Sequence, residues 1–162
     1  MSKTSQRMVW IDLEMTGLDL ERESIIEIAT VITDSELNIL ATGPNLAIKV
    51  QQELLDGMDE WNMRHHHGSG LVQRIHDDGK ELSDAEQATV QFLNEWIEPG
   101  TAPLCGNSVW NDRQFLAKEM PAVLEMLHYR MIDVSTIKEL ARRWYPKAPF
   151  YAKKGAHLAL DD

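Results

Sequence analysis

Cysteine is nearly absent: Cys105 is the single one in 162 residues. One thiol excludes an intramolecular disulfide and any Cys-rich zinc site, and it fits a reducing compartment. Basic side chains are scarce as well. Lys plus Arg number 16 against 26 Asp plus Glu, a formal charge of −10, with a sequence pI near 5.0. Proteins that grip long nucleic acid by neutralising its phosphates are usually basic. The acidic balance therefore argues against a long duplex partner, but not against a short strand held by a few contacts and metal ions. No apolar run approaches the roughly 20 residues that a membrane helix needs, and residues 1–7 contain no apolar signal core. A cytoplasmic chain without membrane contact is expected. Repeats, linkers and low-complexity tracts are missing too.

What is present describes one globular domain, residues 1–162. The hydrophobic fraction is 43% and the charged fraction 26%, both ordinary for a folded protein. Met8 to Met15, Ser24 to Asp34 and Ile39 to Val50 are three β-prone runs, the last broken at Gly43-Pro44. Short links between them predict an antiparallel meander. Helical stretches follow over Gln51–Gly57, Asp59–His67 and Ser69–Asp77. Ser83-Asp84-Ala85-Glu86 has the form of a capping box opening a longer helix. Ala102–Gly106 and Met131–Val134 are brief strands, and Asn111–Glu119 and Pro121–His128 are helical. Ser135 is placed to cap a helix whose Ile137, Leu140, Ala141 and Trp144 recur at helical spacing. Lys147 to Lys154 is a basic loop, and a last helix begins near Ala156. A meander followed by strand–helix alternation is an α/β domain with a mixed sheet.

The chemistry starts in the first strand, at Asp12-Leu13-Glu14. Strand side chains alternate, so both carboxylates point the same way. Set in an apolar strand, they repel unless a cation lies between them, and a hard divalent ion with oxygen ligands is the natural partner. Two carboxylates on a solvated strand face would look the same in sequence. Asp112 lies in the first turn of a helix that follows a strand, where the helix dipole alone would favour it. His157 and Asp162 sit five residues apart, about 140° around a helix; they do not share a face, but both could border one cleft.

The order of these motifs is more specific than any one of them. Val9–Leu18, Glu27-Ile28-Ala29, Trp61-Asn62, Ser69-Gly70-Leu71, Gly106-Asn107-Ser108, Asp112-Arg113, Tyr129-Arg130, Asp133-Val134-Ser135 and Lys154–Asp162 together resemble the oligoribonuclease family, in the His-bearing branch of the DEDD exonuclease superfamily. The resemblance runs from Met8 to the last residue. It implies a ribonuclease-H-like fold, a five-stranded mixed sheet flanked by helices. It implies a 3′-to-5′ exoribonuclease that degrades very short RNA, down to dinucleotides, to 5′-mononucleotides. Asp12, Glu14, Asp112 and Asp162 become ligands of two divalent cations, Mg²⁺ or Mn²⁺, and His157 the general base. Leu18 becomes a wedge between the last two bases and Trp61 a stacking platform, with His66 also reaching the substrate. Ser108, Arg130, Ser135 and Lys138 match positions that hold a 5′-terminal phosphate. Tyr129 belongs to a surface completing the partner subunit's site, which implies a homodimer. An exonuclease acting on tRNA 3′ ends or DNA, and a relative that binds short RNA without cleaving it, are the alternatives.

Some positions depart from the family pattern. Val109-Trp110-Asn111 is bulkier than usual, and His65-His66-His67 richer in histidine. Leu158 stands where Arg is usual, and Gly155 where an acidic residue is commoner. The family also continues past Asp162 with a full helix, so the domain is expected to be C-terminally short.

Overall fold

The computed structural model describes residues 6–147. Five strands, β1 (Met8–Met15), β2 (Ile25–Thr33), β3 (Ile39–Ala47), β4 (Pro103–Gly106) and β5 (His128–Asp133), form one sheet in the order β3-β2-β1-β4-β5. The first three pair antiparallel as the meander predicts. β4 adds to β1 in parallel, and β5 to β4 likewise. The Gly43-Pro44 break does not end β3, because it lies on the edge of the sheet, where proline's missing N–H costs no ladder bond.

Seven helices accompany the sheet among the described residues: α1 (Gln52–Asp56), α2 (Glu60–Gly68), α3 (Leu71–Asp78), α4 (Leu82–Trp96), α5 (Trp110–Glu119), α6 (Pro121–Glu125) and α7 (Val134–Trp144). Alternation along β1 sends Val9, Ile11 and Leu13 into a core with Ala85 and Leu93 of α4, Phe115 and Leu116 of α5, and Val123 of α6. A second core joins Ile26 and Ala47 of the sheet to Leu55 of α1 and to Leu71, Val72 and Ile75 of α3. The interrupted register between Glu14 and Met15 pairs Glu14 with Glu27 and Met15 with Ile25, and it lets Ile26 serve the second core while Ile25 and Ile28 serve the first.

Two helix starts differ from the sequence reading. α4 begins at Leu82, so Ser83 lies inside its first turn and caps nothing. Glu86 turns outward instead, and its Oε1 accepts from the Ala122 amide at 2.8 Å, tying α4 to α6. α7 is capped by Asp133, not Ser135. Position decides both: a side chain already inside the helix cannot reach back to the orphan amides of its first turn. β5 also starts earlier than expected, at His128, which shortens α6 to five residues.

Candidate active site

The site grows from the carboxyl end of β1, where it parts from β4. The last paired residues of the two strands are Trp10 and Cys105. Beyond them the Leu13 amide donates to Asp112 Oδ1 at 3.0 Å. One hydrogen bond thus fixes the α5 carboxylate on the backbone of Leu13, the residue between Asp12 and Glu14 in β1. Gly106 makes this approach possible, since a Cβ there would sit 2.9 Å from Val109 Cγ2 and 3.2 Å from the Ile11 carbonyl oxygen.

Asp12 and Glu14 share the β1 face opposite Ile11 and Leu13, and both are half-buried. Asp112 is only 6% exposed. Its burial raises the carboxyl to about 6, against the hydrogen bond from Leu13, and the charge of Asp133 adds to the rise. Ionised Asp112 is therefore a costly buried negative group, and a cation bound to it would relieve that cost. The donors are all carboxylate oxygens, the set that hard divalent cations prefer. Among the described residues no three ligating side chains already close around one point, and Asp162 and His157 lie outside those residues.

Sequence reasoning assigned no role to the charged layer beneath Glu14. Glu27 is fully buried opposite Glu14 in the register. Arg74 of α3 pairs with it and also donates to Asn45 Oδ1 at 3.2 Å. A lone acid inside Ile25-Ile26-Glu27-Ile28 was the available signal, since a buried charge requires a partner; nothing in the sequence marked Arg74 as that partner.

His66 lies deeper than the other expected substrate contacts. It is 1% exposed, with Nε2 3.0 Å from the Met15 carbonyl oxygen and Nδ1 3.9 Å from Glu14 Oε2. A carbonyl only accepts, so Nε2 carries the proton. The ring is enclosed by the described residues and lies beside Glu14.

The other expected contacts are surface features. Leu18 is 67% exposed on a turn closed by Thr16, which donates to Glu23, and by the Ser24 amide, which donates to Thr16 Oγ1 at 3.1 Å. Trp61, 56% exposed, stands in the first turn of α2, where Asp59 accepts from the Asn62 amide at 2.8 Å. Its ring stacks on His65 with centroids 3.8 Å apart. Tyr129 and Arg130 project from the edge strand β5, the guanidinium 5.4 Å from the centre of the tyrosine ring. Ser108 is exposed and Ser135 and Lys138 are half-buried. Ser135 was expected at a helix start with free amides, but its amide and hydroxyl both donate to Asp133, at 2.9 and 2.6 Å. Burial opposes the Asp133 charge, but these donors, with the Ser108 and Val109 amides, outweigh it and hold the carboxyl below its ordinary range. Covalent cysteine chemistry has no place here: Cys105 is buried, and desolvation pushes its thiol up to about 12.

The chain is similar to known exonucleases. The RNase T exonuclease family model matches residues 9–162. Oligoribonuclease of Hydrogenovibrio crunogenus is 53% identical over 161 residues, covering 99% of this chain and 88% of its own. That of Xanthomonas campestris pv. campestris strain 8004 is 55% identical over 159 residues, covering 98% and 82%. That of Alcanivorax borkumensis is 53% identical over 163 residues, covering 100% and 90%. Among solved structures, Exonuclease I from Methylocaldum szegediense superposes with a TM-score of 0.68 at 16% identity, over 93% of this chain and 32% of that one. E. coli Exonuclease I in complex with a dA13 oligonucleotide gives 0.69 at 12% identity, over 92% and 32%. This chain thus spans about a third of the exonuclease I chains, and they establish the ribonuclease-H-like fold alone. With more than half of its residues shared along nearly the whole length, the chain belongs to the oligoribonuclease family of exonucleases.

Proposed function

We infer that this chain hydrolyses very short RNA from the 3′ end and releases 5′-mononucleotides. The single observation that carries this reading is Asp112 seated on the Leu13 amide between Asp12 and Glu14, in a chain that shares over half its residues with proteins named oligoribonuclease. The family is divalent-metal dependent, and the oxygen donor set fits that class of ion. Asp12, Glu14, Asp112 and Asp162 would hold two cations, Mg²⁺ or Mn²⁺. When bound, such ions lower the pKa of an attacking water and neutralise phosphate charge. Four carboxylates balance two divalent ions, so the loaded site accepts a phosphate although the whole chain is acidic.

The remaining work falls to the chain's own groups. His157 takes the proton of the attacking water, as an imidazole does well near neutral pH. The water oxygen bonds to phosphorus, and the P–O3′ bond of the penultimate nucleotide breaks. Trp61, held rigid by the His65 ring, stacks on a base; such stacking is worth about 1–3 kcal/mol and accepts any base. Leu18 separates the last two bases. Ser108, Arg130, Ser135 and Lys138 meet the 5′-terminal phosphate, which closes the groove to longer strands. His66 lies 3.9 Å from Glu14, and the buried Glu27–Arg74 pair stands opposite Glu14 in the sheet register.

Two surfaces support a homodimer. No side chain of α7 is buried by the described residues, although Ile137, Leu140 and Trp144 form an apolar stripe, with Ile137 and Trp144 well exposed. That spacing suits a core position as well, but none of the described residues covers the stripe. Tyr129, 70% exposed on the free edge β5, continues the surface. Among the described residues no helix is long and apolar enough to cross a membrane; the reduced Cys105 fits the cytoplasm.

The test is a ladder of 5′-labelled RNAs, from dinucleotide to longer oligomers, incubated with Mn²⁺ and then with EDTA. A steep preference for the shortest RNA, abolished by EDTA, is expected. Equal rates along the ladder, or faster cleavage of a DNA ladder, would favour a different exonuclease. Binding without release would leave a non-cleaving RNA-binding relative.

A further inference from the structure

The loop before α5 and the start of α7 are joined through one residue, Asp133. It is the last residue of β5, paired with Gly106 of β4, and it also caps α7. Its Oδ1 accepts three hydrogen bonds: from the Ser135 amide at 2.9 Å, from the Ser135 hydroxyl at 2.6 Å and from the Ser108 amide at 2.9 Å. Two of these donors belong to the β5–α7 junction. The third crosses to the loop that joins β4 to α5, 25 positions earlier in the chain.

Ser108 needs that support. Its φ is +54°, in the left-handed region that a residue with a Cβ enters only at a cost. Such a conformation persists only where its surroundings hold it, and the Asp133 carboxylate supplies a charged acceptor for its amide. The same loop leads in two residues to Val109 and Trp110 and then into the turn of α5 that carries Asp112. Asp133 is close enough for its charge to act on the Asp112 carboxyl. One oxygen therefore ties the loop before the metal-binding carboxylate to the start of α7, where Ser135 and Lys138 stand.

We propose that Asp133 is a positioning residue that joins the Ser108 loop and the start of α7 into one rigid frame, and that this frame sets the preference for a short, 5′-phosphorylated substrate. The inference rests on the reading that Ser108, Arg130, Ser135 and Lys138 meet the terminal phosphate. A fixed span between Asp112 and those groups measures the substrate, because a phosphate bound at one end places the scissile bond at the other. A frame that loosens still binds and cleaves, but it loses the advantage of the terminal phosphate.

Two variants of the full chain separate this role from simple helix capping. Asp133→Asn keeps an acceptor at the same reach, so all three donors stay satisfied. Asp133→Ser is a good helix cap, but its shorter side chain reaches the start of α7 and not the Ser108 amide. The readout is the ratio of kcat/KM for a 5′-phosphorylated dinucleotide to that for the 5′-hydroxyl dinucleotide. In Asp133→Asn the ratio is expected to stay close to that of the unmodified protein. In Asp133→Ser it should fall about tenfold or more, the scale of a lost hydrogen bond to a charged group, with the change in KM of the phosphorylated substrate. An unchanged ratio in Asp133→Ser, or an equal loss on both substrates, would overturn the proposal. So would a thermal midpoint for Asp133→Ser below the assay temperature, which would show the carboxylate to be structural. Arg130→Ala is the control for the underlying reading: if it leaves the ratio unchanged, no terminal phosphate is read and the reading fails; if it lowers the ratio while Asp133→Ser does not, only the positioning role fails.

Discussion

Asp112→Asn is expected to remove measurable turnover and, in metal-free protein near neutral pH, to make the fold more stable. Both outcomes follow from one buried carboxylate. On the proposed reading the ionised group would supply one charged oxygen to the cations, where the amide would supply a weaker, neutral one. Its cost is visible in the raised folded value of about 6, against an ordinary 3.8. The native state therefore holds the proton more tightly than the unfolded chain between about pH 4 and 6. Stability falls as pH rises through that window and stays lower above it. A rise of roughly two units corresponds to about 2–3 kcal/mol at pH 7. Asparagine keeps an acceptor for the Leu13 amide and removes the charge, so this penalty disappears. Thermal melting with EDTA at pH 5 and pH 7.5 checks the sign: the stabilising effect of the variant should be larger at pH 7.5. Calorimetric titration with Mn²⁺ checks the other half, with weaker binding in the variant. A metal-free variant that melts lower than the parent at pH 7.5, or that binds Mn²⁺ equally well, would remove Asp112 from the ligand set.

The strand half of this site was legible in sequence because period-two alternation leaves little choice. Once Val9, Ile11 and Leu13 go to the core, Asp12 and Glu14 must share the other face. Asp112 was placed in the first turn of its helix correctly, but the bond to the Leu13 amide was not legible. That bond depends on where β4 leaves β1, a matter of tertiary register. The same reason hid Arg74, which reaches Glu27 from 47 positions away. Helix starts failed for a local reason. Ser83 and Ser135 have the right chemistry for a cap, yet Glu81 and Asp133 occupy the cap positions, and a one- or two-residue shift turns a cap into an interior residue. The motif locates His66, but its burial beside Glu14 depends on how α2 seats on the sheet. On α7 the spacing of Ile137, Leu140 and Trp144 was read correctly, but periodicity alone does not say whether the stripe faces the chain's own core or another surface.

His157→Ala is expected to lower kcat by about 10²–10⁴-fold, the usual weight of a positioned general base, while leaving Mn²⁺ affinity nearly unchanged. His157 lies outside the described residues, so the argument is chemical. The attacking water must lose a proton; Asp112 already accepts from the Leu13 amide, and on the proposed reading Asp12, Glu14 and Asp112 would be committed to cations. An imidazole titrating near pH 6.5 is mostly neutral at pH 7.5 and ready to accept. With His157 present and Mn²⁺ saturating, the logarithm of the rate should climb with pH and level off once the ring is deprotonated. Saturating metal matters, because it keeps Asp112 ionised and prevents its own titration, near pH 6 without metal, from imitating the base. In His157→Ala the residual rate should lose that plateau and follow hydroxide concentration. Single-turnover rates across pH 5.5–9, paired with Mn²⁺ binding isotherms, distinguish the cases. Full activity would show that water is activated without the imidazole, and lost Mn²⁺ affinity would make His157 a ligand instead of a base.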